Sequence, residues 1–377
     1  MFLSLCHQIP VSLLYFAIDA YLPDVILRIY SKRMIHNYAF LLLALLFCFS
    51  CTKEDSDGNA DRVYVIRNNE FGIRSDKTNA QATTDGINKA IEHAKAEGYN
   101  VVKLIEGDYL IHCIGESDWY PENGIFVPTN MTLDLGDARL HVEPNNSKHY
   151  ALIQIDHVEN ATIIGGHLIG DRGQHDKSHI AGYGIQVIAS TNVTLKDVKI
   201  ERMTGDGIIF TMYTYMHFYG RFPSKNIVVT GCDISDCGRQ GIHVIQAKGI
   251  DISDNDFHDI SGANHQYAID INPNGAWQSI AEDIKIYNNR FKNCTNGSMR
   301  LWNGNDIEVY ENHMENLGLF CVSPQRVRIY KNTFTENGTI YIGDGSVDIC
   351  APTEGENKNE CLKMTDLSTK TGNFSCH

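Results

Sequence analysis

The sequence predicts an all-β protein, a right-handed parallel β-helix (solenoid) with an N-terminal capping α-helix. The first observation is a repeat in which an alternating strand, a polar break and a second short strand recur six times. The first apolar residues of the copies are 34, 23, 34, 23 and 20 residues apart, so a short step fits one coil and a long step fits a coil with a loop. These anchor residues are Val193, Ile227, Ile250, Ile284, Ile307 and Val327.

A second column of strands runs in phase with the first and is the second observation. Its members are GYGIQV (182–187), GDGIIF (205–210), RQGIHV (239–244), QYAIDI (266–271) and NGSMRL (296–301). Apolar residues alternate along each of them, which is typical of a strand with one buried face. Coils of this kind cannot bury their apolar faces alone, so we expect them to stack.

Asparagines provide the third observation, because they fall five residues after the anchor in four of the repeats. Stacked asparagines can pair their amide groups from one coil to the next. We therefore expect a ladder formed by Asn255, Asn289, Asn312 and Asn332.

The N-terminal segment is predicted to be a targeting signal. The apolar run 39–49 is too short to span a membrane but fits the core of a signal peptide. The small residue before Cys51 resembles a lipoprotein signal, which implies lipidation of Cys51, and the acidic stretch behind it resembles the tether of surface lipoproteins. We expect an exported outer-membrane lipoprotein, exposed at the cell surface and anchored through Cys51. Met34 is a second candidate start, which would make residues 1–33 a mispredicted extension.

An amphipathic helix is predicted at 84–97, with Thr83 or Thr84 as its N-cap and one apolar stripe along it. The predicted organisation is a leader (1–50), an acidic tether (51–62), the β-helix with its cap helix (63–347) and a C-terminal tail (348–377). This helix, followed by the strand VVKLIEGDYLI (101–111), resembles the N-terminal cap of pectate-lyase-like β-helix proteins. The resemblance implies that the helix shields the open end of the solenoid.

Composition argues against two kinds of partner, nucleic acid and zinc. The formal net charge of -14 argues against a nucleic-acid partner, because phosphate binding needs a basic surface. The one CxxC pair among the eleven cysteines, Cys48 and Cys51, lies at the end of the predicted leader, so a zinc site is not expected in the β-helix.

Candidate catalytic residues lie on the outer face of the second column. Between the inward residues, the strands carry the row Gln186, Ile209, His243, Asp270 and Arg300, which we expect to face solvent. Neighbouring coils are about 4.8 Å apart, so His243, Asp270 and Arg300 are predicted to be direct neighbours. The turns before the column add two further catalytic candidates, Asp206 and Arg239.

Long loops flank this stretch of the column on both sides, and binding residues concentrate in loops on a rigid scaffold. An aromatic loop (211–225) is suited to packing against sugar rings or to burying its own rings, and both interpretations stay open. The candidate substrate-binding residues are Asp171, Arg172, His175, Tyr183, Gln240, Tyr267, Asn272, Trp302, Tyr219 and Trp277.

Four short motifs resemble a pattern that recurs in bacterial and phage-associated β-helix proteins. They are G-D-R-x-x-H (170–175), G-D-G-I (205–208), R-Q-G-I (239–242) and AIDINPN (268–274). The resemblance implies a carbohydrate-directed role and a polysaccharide partner, without identifying the sugar.

Three functions remain open. In a polysaccharide lyase acting on a uronate-containing glycan, His243 would be the base, while Arg239 or Arg300 would neutralise the uronate. Ca²⁺ could assist, as in pectate-lyase-like enzymes, although no diagnostic calcium motif is present. In an inverting glycoside hydrolase, Asp206 and Asp270 would flank the bond. The third possibility is a non-catalytic surface protein that binds glycans or mediates adhesion.

Overall fold

Three strands build a typical coil of the protein, and successive coils stack strand on strand. The computed structural model describes residues 61–67, 70–115, 121–212, 222–263, 265–273, 279–315, 317–335, 340–343, 347–351 and 360–364. The predicted leader, Cys51 and the tether up to residue 60 lie outside these residues, as do Tyr219 and Trp277. No helix in the described part of the chain is long and apolar enough to span a membrane.

The described elements are one α-helix, one 3-10 turn and 28 strands. In chain order they are β1 (Val63–Val65), the 3-10 turn (Glu70–Gly72), α1 (Ala80–Ala96), β2 (Val101–Lys103), β3 (Asp108–Ile111), β4 (Ile125–Phe126), β5 (Met131–Val142), β6 (His149–Asp156), β7 (Glu159–Ile169), β8 (Ala181–Ile188), β9 (Thr191–Lys196), β10 (Lys199–Glu201), β11 (Ile208–Thr211), β12 (Ser224–Thr230), β13 (Asp233–Ser235), β14 (Ile242–Val244), β15 (Ala247–Ser253), β16 (Asp256–His258), β17 (Tyr267–Ile271), β18 (Ala281–Tyr287), β19 (Arg290–Lys292), β20 (Gly297–Trp302), β21 (Asn305–Tyr310), β22 (His313–Glu315), β23 (Leu319–Val322), β24 (Gln325–Tyr330), β25 (Thr333–Thr335), β26 (Ile340–Ile342), β27 (Val347–Ala351) and β28 (Glu360–Met364).

The strands form two sheets, which confirms the predicted right-handed parallel β-helix. The second sheet contains β4, β6, β8, β11, β14, β17, β20, β23 and β26, and the first sheet contains the other nineteen described strands. Among the described strands, every pairing is parallel except that of β27 with β28. The predicted anchors are in register: Val193 pairs with Ile227 and Ile227 with Ile250, and the alignment continues to Val327.

The interior is filled by the inward side chains of both columns, so the predicted alternation is confirmed. Each apolar side chain lies over its equivalent in the next coil, and the rings of Phe257 and Phe291 stack with centroids 5.1 Å apart. Five buried thiols share this interior, and burial raises the pKa of each of them. They belong to Cys113, Cys232, Cys237, Cys294 and Cys321.

The predicted asparagine ladder is present. The amide nitrogen of each asparagine donates to the side-chain oxygen of the next: Asn255 to Asn289 at 2.9 Å, Asn289 to Asn312 at 3.0 Å and Asn312 to Asn332 at 2.9 Å. The same nitrogens also donate to backbone carbonyls, as Asn289 does to Ile252. The ladder thus satisfies polar groups that would otherwise be buried without partners.

The cap helix α1 begins at Ala80, so the predicted start at residue 84 was wrong. Its N-cap is Asn79, which makes no side-chain capping bond. Thr83 and Thr84 lie inside the helix and do not cap it, because their hydroxyls have other partners. The hydroxyl of Thr84 donates to the carbonyl of Ala80 and accepts from the backbone of His112, which attaches the helix to the first coils.

The solenoid also extends beyond its predicted end at residue 347. Strand β27 pairs in parallel with β24 through Cys350, so the stacked coils enter the segment predicted to be a tail. Strand β28 then pairs antiparallel with β27, also within that segment.

Candidate functional site

A row of side chains projects from the outer face of the second sheet, one from each of five neighbouring coils. Ile209 pairs with Gln186 on one side and with His243 on the other. His243 in turn pairs with Asp270, and Asp270 with Arg300. The predicted adjacency of His243, Asp270 and Arg300 is therefore confirmed, whereas their catalytic roles stay predictions.

The row was predicted to face solvent, but its side chains are buried. His243 is 7% exposed, Asp270 0% and Arg300 5%. The physical reason is pairing: the two buried carboxylates of the site are each bound by a guanidinium group, and aromatic rings lie against both guanidinium groups.

Asp206 lies in the turn before β11 and is fully buried. The side chain of Arg239 binds its carboxylate through both Nε, at 2.8 Å, and Nη2, and the backbone nitrogen of Gln240 donates to it at 3.1 Å. Burial by itself would raise the pKa of Asp206, but the charge of Arg239 and hydrogen bonds from Arg239 and His243 outweigh burial and lower this pKa to about 2. Asp206 is therefore an anion at any pH near neutrality.

The imidazole of His243 spans the space between the two carboxylates. Its Nδ1 lies 3.3 Å from Oδ2 of Asp206, and its Nε2 lies 3.9 Å from Oδ2 of Asp270, which is too long for a hydrogen bond. Nδ1 is also 3.2 Å from Nη2 of Arg239. A ring nitrogen cannot donate to Asp206 and accept from Arg239 at once, so the tautomer decides which contact is a hydrogen bond.

Asp270 and Arg300 form a bidentate ion pair. Asp270 lies in the coil after that of His243, and Arg300 lies in the coil after that of Asp270. Nε and Nη2 of Arg300 donate to the two carboxylate oxygens at 2.8 and 2.6 Å. Nη1 of Arg300 donates to Nδ1 of His265 at 2.6 Å. Burial and the charge of Arg300 lower the pKa of His265, so this imidazole stays neutral and can accept that bond.

Three polar atoms at this row are buried and have no hydrogen-bond partner among the described residues. They are Nε2 of His243, Oε1 of Gln186 and Oε1 of Gln240, whose own amide nitrogen donates to Asp270 at 3.0 Å. Buried polar atoms in folded proteins are normally paired. Their concentration at one row indicates a place where a polar ligand or water completes the bonding.

Asp171 and His175 form a further buried pair, separated by 3.0 Å between Oδ2 and Nδ1. The same carboxylate accepts from the hydroxyl of Tyr150 at 2.9 Å and from the backbone of Asn145 at 3.0 Å. The hydroxyl of Thr204 lies 3.3 Å from that of Tyr150, two residues before Asp206. This network attaches the loop after β7 to the coil that carries Asp206.

A cavity of about 320 Å³ lies beside this loop. Its lining includes Arg172, His175, Lys177 and His179, together with Gly238, which directly precedes Arg239. The guanidinium of Arg172 does not offer a free charge to this cavity, because it donates to Asp236 and to Ser261. Lys177 is exposed, and no carboxylate of the described residues forms an ion pair with it. The cavity volume falls within the range of about 300–1,000 Å³ that is typical of ligand pockets.

The remaining predicted binding residues surround the ion pairs. The ring of Tyr183 lies 6.0 Å from the guanidinium carbon of Arg239, while the rings of Tyr267 and Trp302 lie 5.5 and 4.9 Å from that of Arg300. The side chain of Asn272 is half-buried, and its backbone nitrogen donates to the carbonyl of Val244.

Metal binding finds no support in the described part of the chain, where no cluster of three or more His, Cys, Asp or Glu side chains could hold an ion. The two carboxylates of the site, Asp206 and Asp270, are each bound to an arginine. Carboxylates whose charge is already matched by arginine do not fit a Ca²⁺ site.

Sequence reasoning missed several participants. His265 and Lys177 lie within loops that the sequence singled out, so their position was the only available signal. Tyr150 occupies an inward-looking apolar strand, and nothing in the pattern separates it from the core. Phe320 and Tyr341 extend the outward row, which only the register of the later coils reveals.

Comparisons with known proteins agree with this architecture. A family model described as the right handed beta helix region matches residues 140–263 and 222–359, which together are more than half of the chain. The protein therefore belongs to the right-handed β-helix family.

One relative is the SPbeta prophage-derived uncharacterized protein YorA of Bacillus subtilis, 28% identical over 322 residues. The match covers 80% of this chain and 54% of the relative, so the chain spans about half the length of that protein.

Two solved structures share the fold at low sequence identity. An exopolygalacturonase from Thermotoga maritima is 12% identical, with coverage of 84% of this chain and 96% of that one and a TM-score of 0.52. The A-module of the mannuronan C-5 epimerase AlgE6 from Azotobacter vinelandii is 15% identical, with coverage of 74% and 79% and a TM-score of 0.50.

Proposed function

We propose that this protein is a polysaccharide lyase that cleaves an acidic, uronate-containing extracellular glycan by β-elimination, with His243 as the base. One observation carries the proposal: Nδ1 of His243 faces the anionic Asp206, while its buried Nε2 has no hydrogen-bond partner among the described residues. Two proteins of the same fold have names that refer to uronate polymers, the exopolygalacturonase and the mannuronan C-5 epimerase. Their names agree with this substrate class.

We assign to His243 the tautomer in which Nδ1 carries the proton and donates to Asp206, so that the 3.2 Å contact of Nδ1 with Nη2 of Arg239 is not a hydrogen bond. A proton on Nδ1 is stabilised by a carboxylate 3.3 Å away, so the lone pair is left on Nε2. A carboxylate that orients an imidazole in this way is the usual arrangement of a histidine base. Asp206 thus acts as a positioning residue, and Arg239 keeps it ionised.

The proposed reaction balances without a co-reactant. Nε2 of His243 takes the proton from the carbon next to the uronate carboxylate. The electron pair of that C–H bond forms a carbon–carbon double bond as the neighbouring glycosidic C–O bond breaks, and the leaving oxygen takes up a proton. A cation near the carboxylate stabilises the charge that develops in the transition state.

Lys177 is better suited to that neutralising role than Arg239 or Arg300. Both arginines are bound through two nitrogens to Asp206 and Asp270, so their charge is already matched. Lys177 has no carboxylate partner among the described residues and lines a cavity that is also lined by Gly238, the residue before Arg239. We assign the uronate carboxylate to this cavity.

The same charges argue against the hydrolase alternative. An inverting hydrolase needs one carboxyl group that stays protonated, with a raised pKa, and one that activates water. The pKa of Asp206 is instead lowered to about 2, and both Asp206 and Asp270 are fully buried against arginine.

The test is a panel of uronate polysaccharides incubated with the purified protein. A lyase produces an unsaturated uronate that absorbs in the ultraviolet. New reducing ends without this absorbance would support the hydrolase, and retention on a glycan with neither signal would support the non-catalytic binding protein.

Export and lipidation form a separate part of the proposal, supported only by the N-terminal sequence. We propose that Cys51 carries the lipid anchor of a surface-exposed outer-membrane lipoprotein. Labelled palmitate should enter the wild-type protein in cells and not the Cys51→Ala variant, and equal labelling of both would exclude this site.

A further inference from the structure

The outward row continues beyond Arg300 and changes from charged to aromatic. Phe320 on β23 pairs with Arg300 on β20, and Tyr341 on β26 pairs with Phe320. Trp302, two residues after Arg300 on β20, lies on the same face with its ring 4.9 Å from the guanidinium carbon. A line of aromatic side chains therefore begins where the buried ion pairs end.

These rings are accessible in a way that the charged residues are not. Trp302 is 37% exposed and Tyr341 is 40% exposed. Phe320 supports Tyr341, with ring centroids 5.8 Å apart and planes tilted by 39°. Tyr267 meets Phe320 edge to face at 5.6 Å. Tilted and edge-on packing does not cover ring faces as parallel stacking does.

A second aromatic row on the first sheet shows the difference. Tyr287, Tyr310 and Tyr330 stack with centroids 4.9 and 5.0 Å apart and planes within 4° of parallel. Each of these rings covers the face of its neighbour, so the row is self-contained. A sugar ring stacks on an aromatic face, and of these two described rows the one on the second sheet leaves such faces open beside the candidate site.

We propose that Trp302, Phe320 and Tyr341 form an aromatic track that holds successive sugars of an extended acidic glycan, lying along the coil axis from His243 toward β26. This inference rests on the proposed function and deepens it. Coils repeat about every 4.8 Å, which is close to the length of one sugar residue in an extended chain.

The test compares substrates of different length in the full-length protein. We expect Trp302→Ala and Tyr341→Ala to lower kcat/KM for the polymer about five- to tenfold, mainly through KM, with little change for the shortest cleaved oligosaccharide. Trp302→Phe and Tyr341→Phe should retain most of the activity, because stacking needs the ring and not its polar group. Tyr287→Ala, on the other sheet, is the matched control and should leave both substrates unchanged.

A binding measurement separates failure of the track from failure of the lyase proposal. Affinity electrophoresis in gels that contain the uronate polymer reports binding without turnover. Retardation that is lost in Trp302→Ala and Tyr341→Ala supports the track even if no product forms. Wild-type kcat/KM for the polymer in both alanine variants, or no retardation of the wild-type protein by any uronate polymer tested, would overturn it.

Discussion

Nδ1 of His243 lies 3.3 Å from Oδ2 of Asp206, although the two residues belong to neighbouring coils and are 37 positions apart in the chain. The contact leaves Nε2 of the same ring unpaired among the described residues. Most of the behaviour expected of this protein depends on that contact.

Replacing His243 by glutamine should abolish the elimination. Glutamine preserves hydrogen bonding but has no lone pair able to take a proton at neutral pH, so kcat should fall by about a hundredfold or more. The ultraviolet absorbance of the unsaturated product is the measurement. His313→Gln, on the first sheet, is the control, and a His243→Gln variant that kept the wild-type rate would exclude this base.

The Asp206–Arg239 pair should make stability depend on acid pH. The folded-state pKa of Asp206, about 2, lies below the usual aspartate value of 3.8, so ionisation stabilises the fold. This contribution is fully present above pH 3.8 and is lost as the pH falls through about 2, and it amounts to about 2 kcal/mol.

Urea unfolding between pH 5 and pH 2 measures this contribution by comparing the wild-type protein with Asp206→Asn. The variant should be less stable at pH 5, because Arg239 is left buried without its counter-charge. The difference between the two proteins should shrink by about 2 kcal/mol on acidification. A constant difference across this range would mean that Asp206 does not titrate as proposed.

The Asp270–Arg300 pair should show strong coupling. Arg300→Met leaves a fully buried carboxylate uncompensated and should cost about 3–5 kcal/mol of unfolding free energy. Adding Asp270→Leu should recover much of that loss, because no unpaired charge remains. A double-mutant cycle by urea denaturation checks this, and additive losses would show that the pair is not coupled.

Lys177→Ala should raise KM for a uronate substrate several-fold and also lower kcat, because the lysine binds the carboxylate and stabilises the negative charge that develops on it in the transition state. Initial rates over a range of substrate concentrations provide the two constants. Lys285→Ala removes an exposed lysine from the first sheet and should change neither. Equal effects of the two variants would point to general surface charge.

The regular part of the molecule could be predicted from the sequence because it repeats. The anchors from Val193 to Val327 and the asparagine ladder obey fixed spacing, and spacing sets register. The neighbours of His243 followed from the same register. The start of α1 was missed because the helix is held by contacts of Thr83 and Thr84 with distant backbone, which local capping rules do not include.

The burial of the site could not be predicted, for a physical reason. Alternation shows which side of a strand a residue occupies, but not what lies above it. Asp206 and Asp270 are covered because arginines from the following coils bind them across the row. Such pairing depends on side-chain reach between coils. The hydrogen bond that Arg300 donates to His265 depends on a loop.

The five thiols inside the coils have a consequence for how the protein responds to oxidants. Thiol oxidation and exchange proceed through the thiolate, and burial both raises the pKa of these groups and keeps reagents away from them. These five thiols can therefore tolerate oxidising surroundings without forming disulfides with one another or with other proteins.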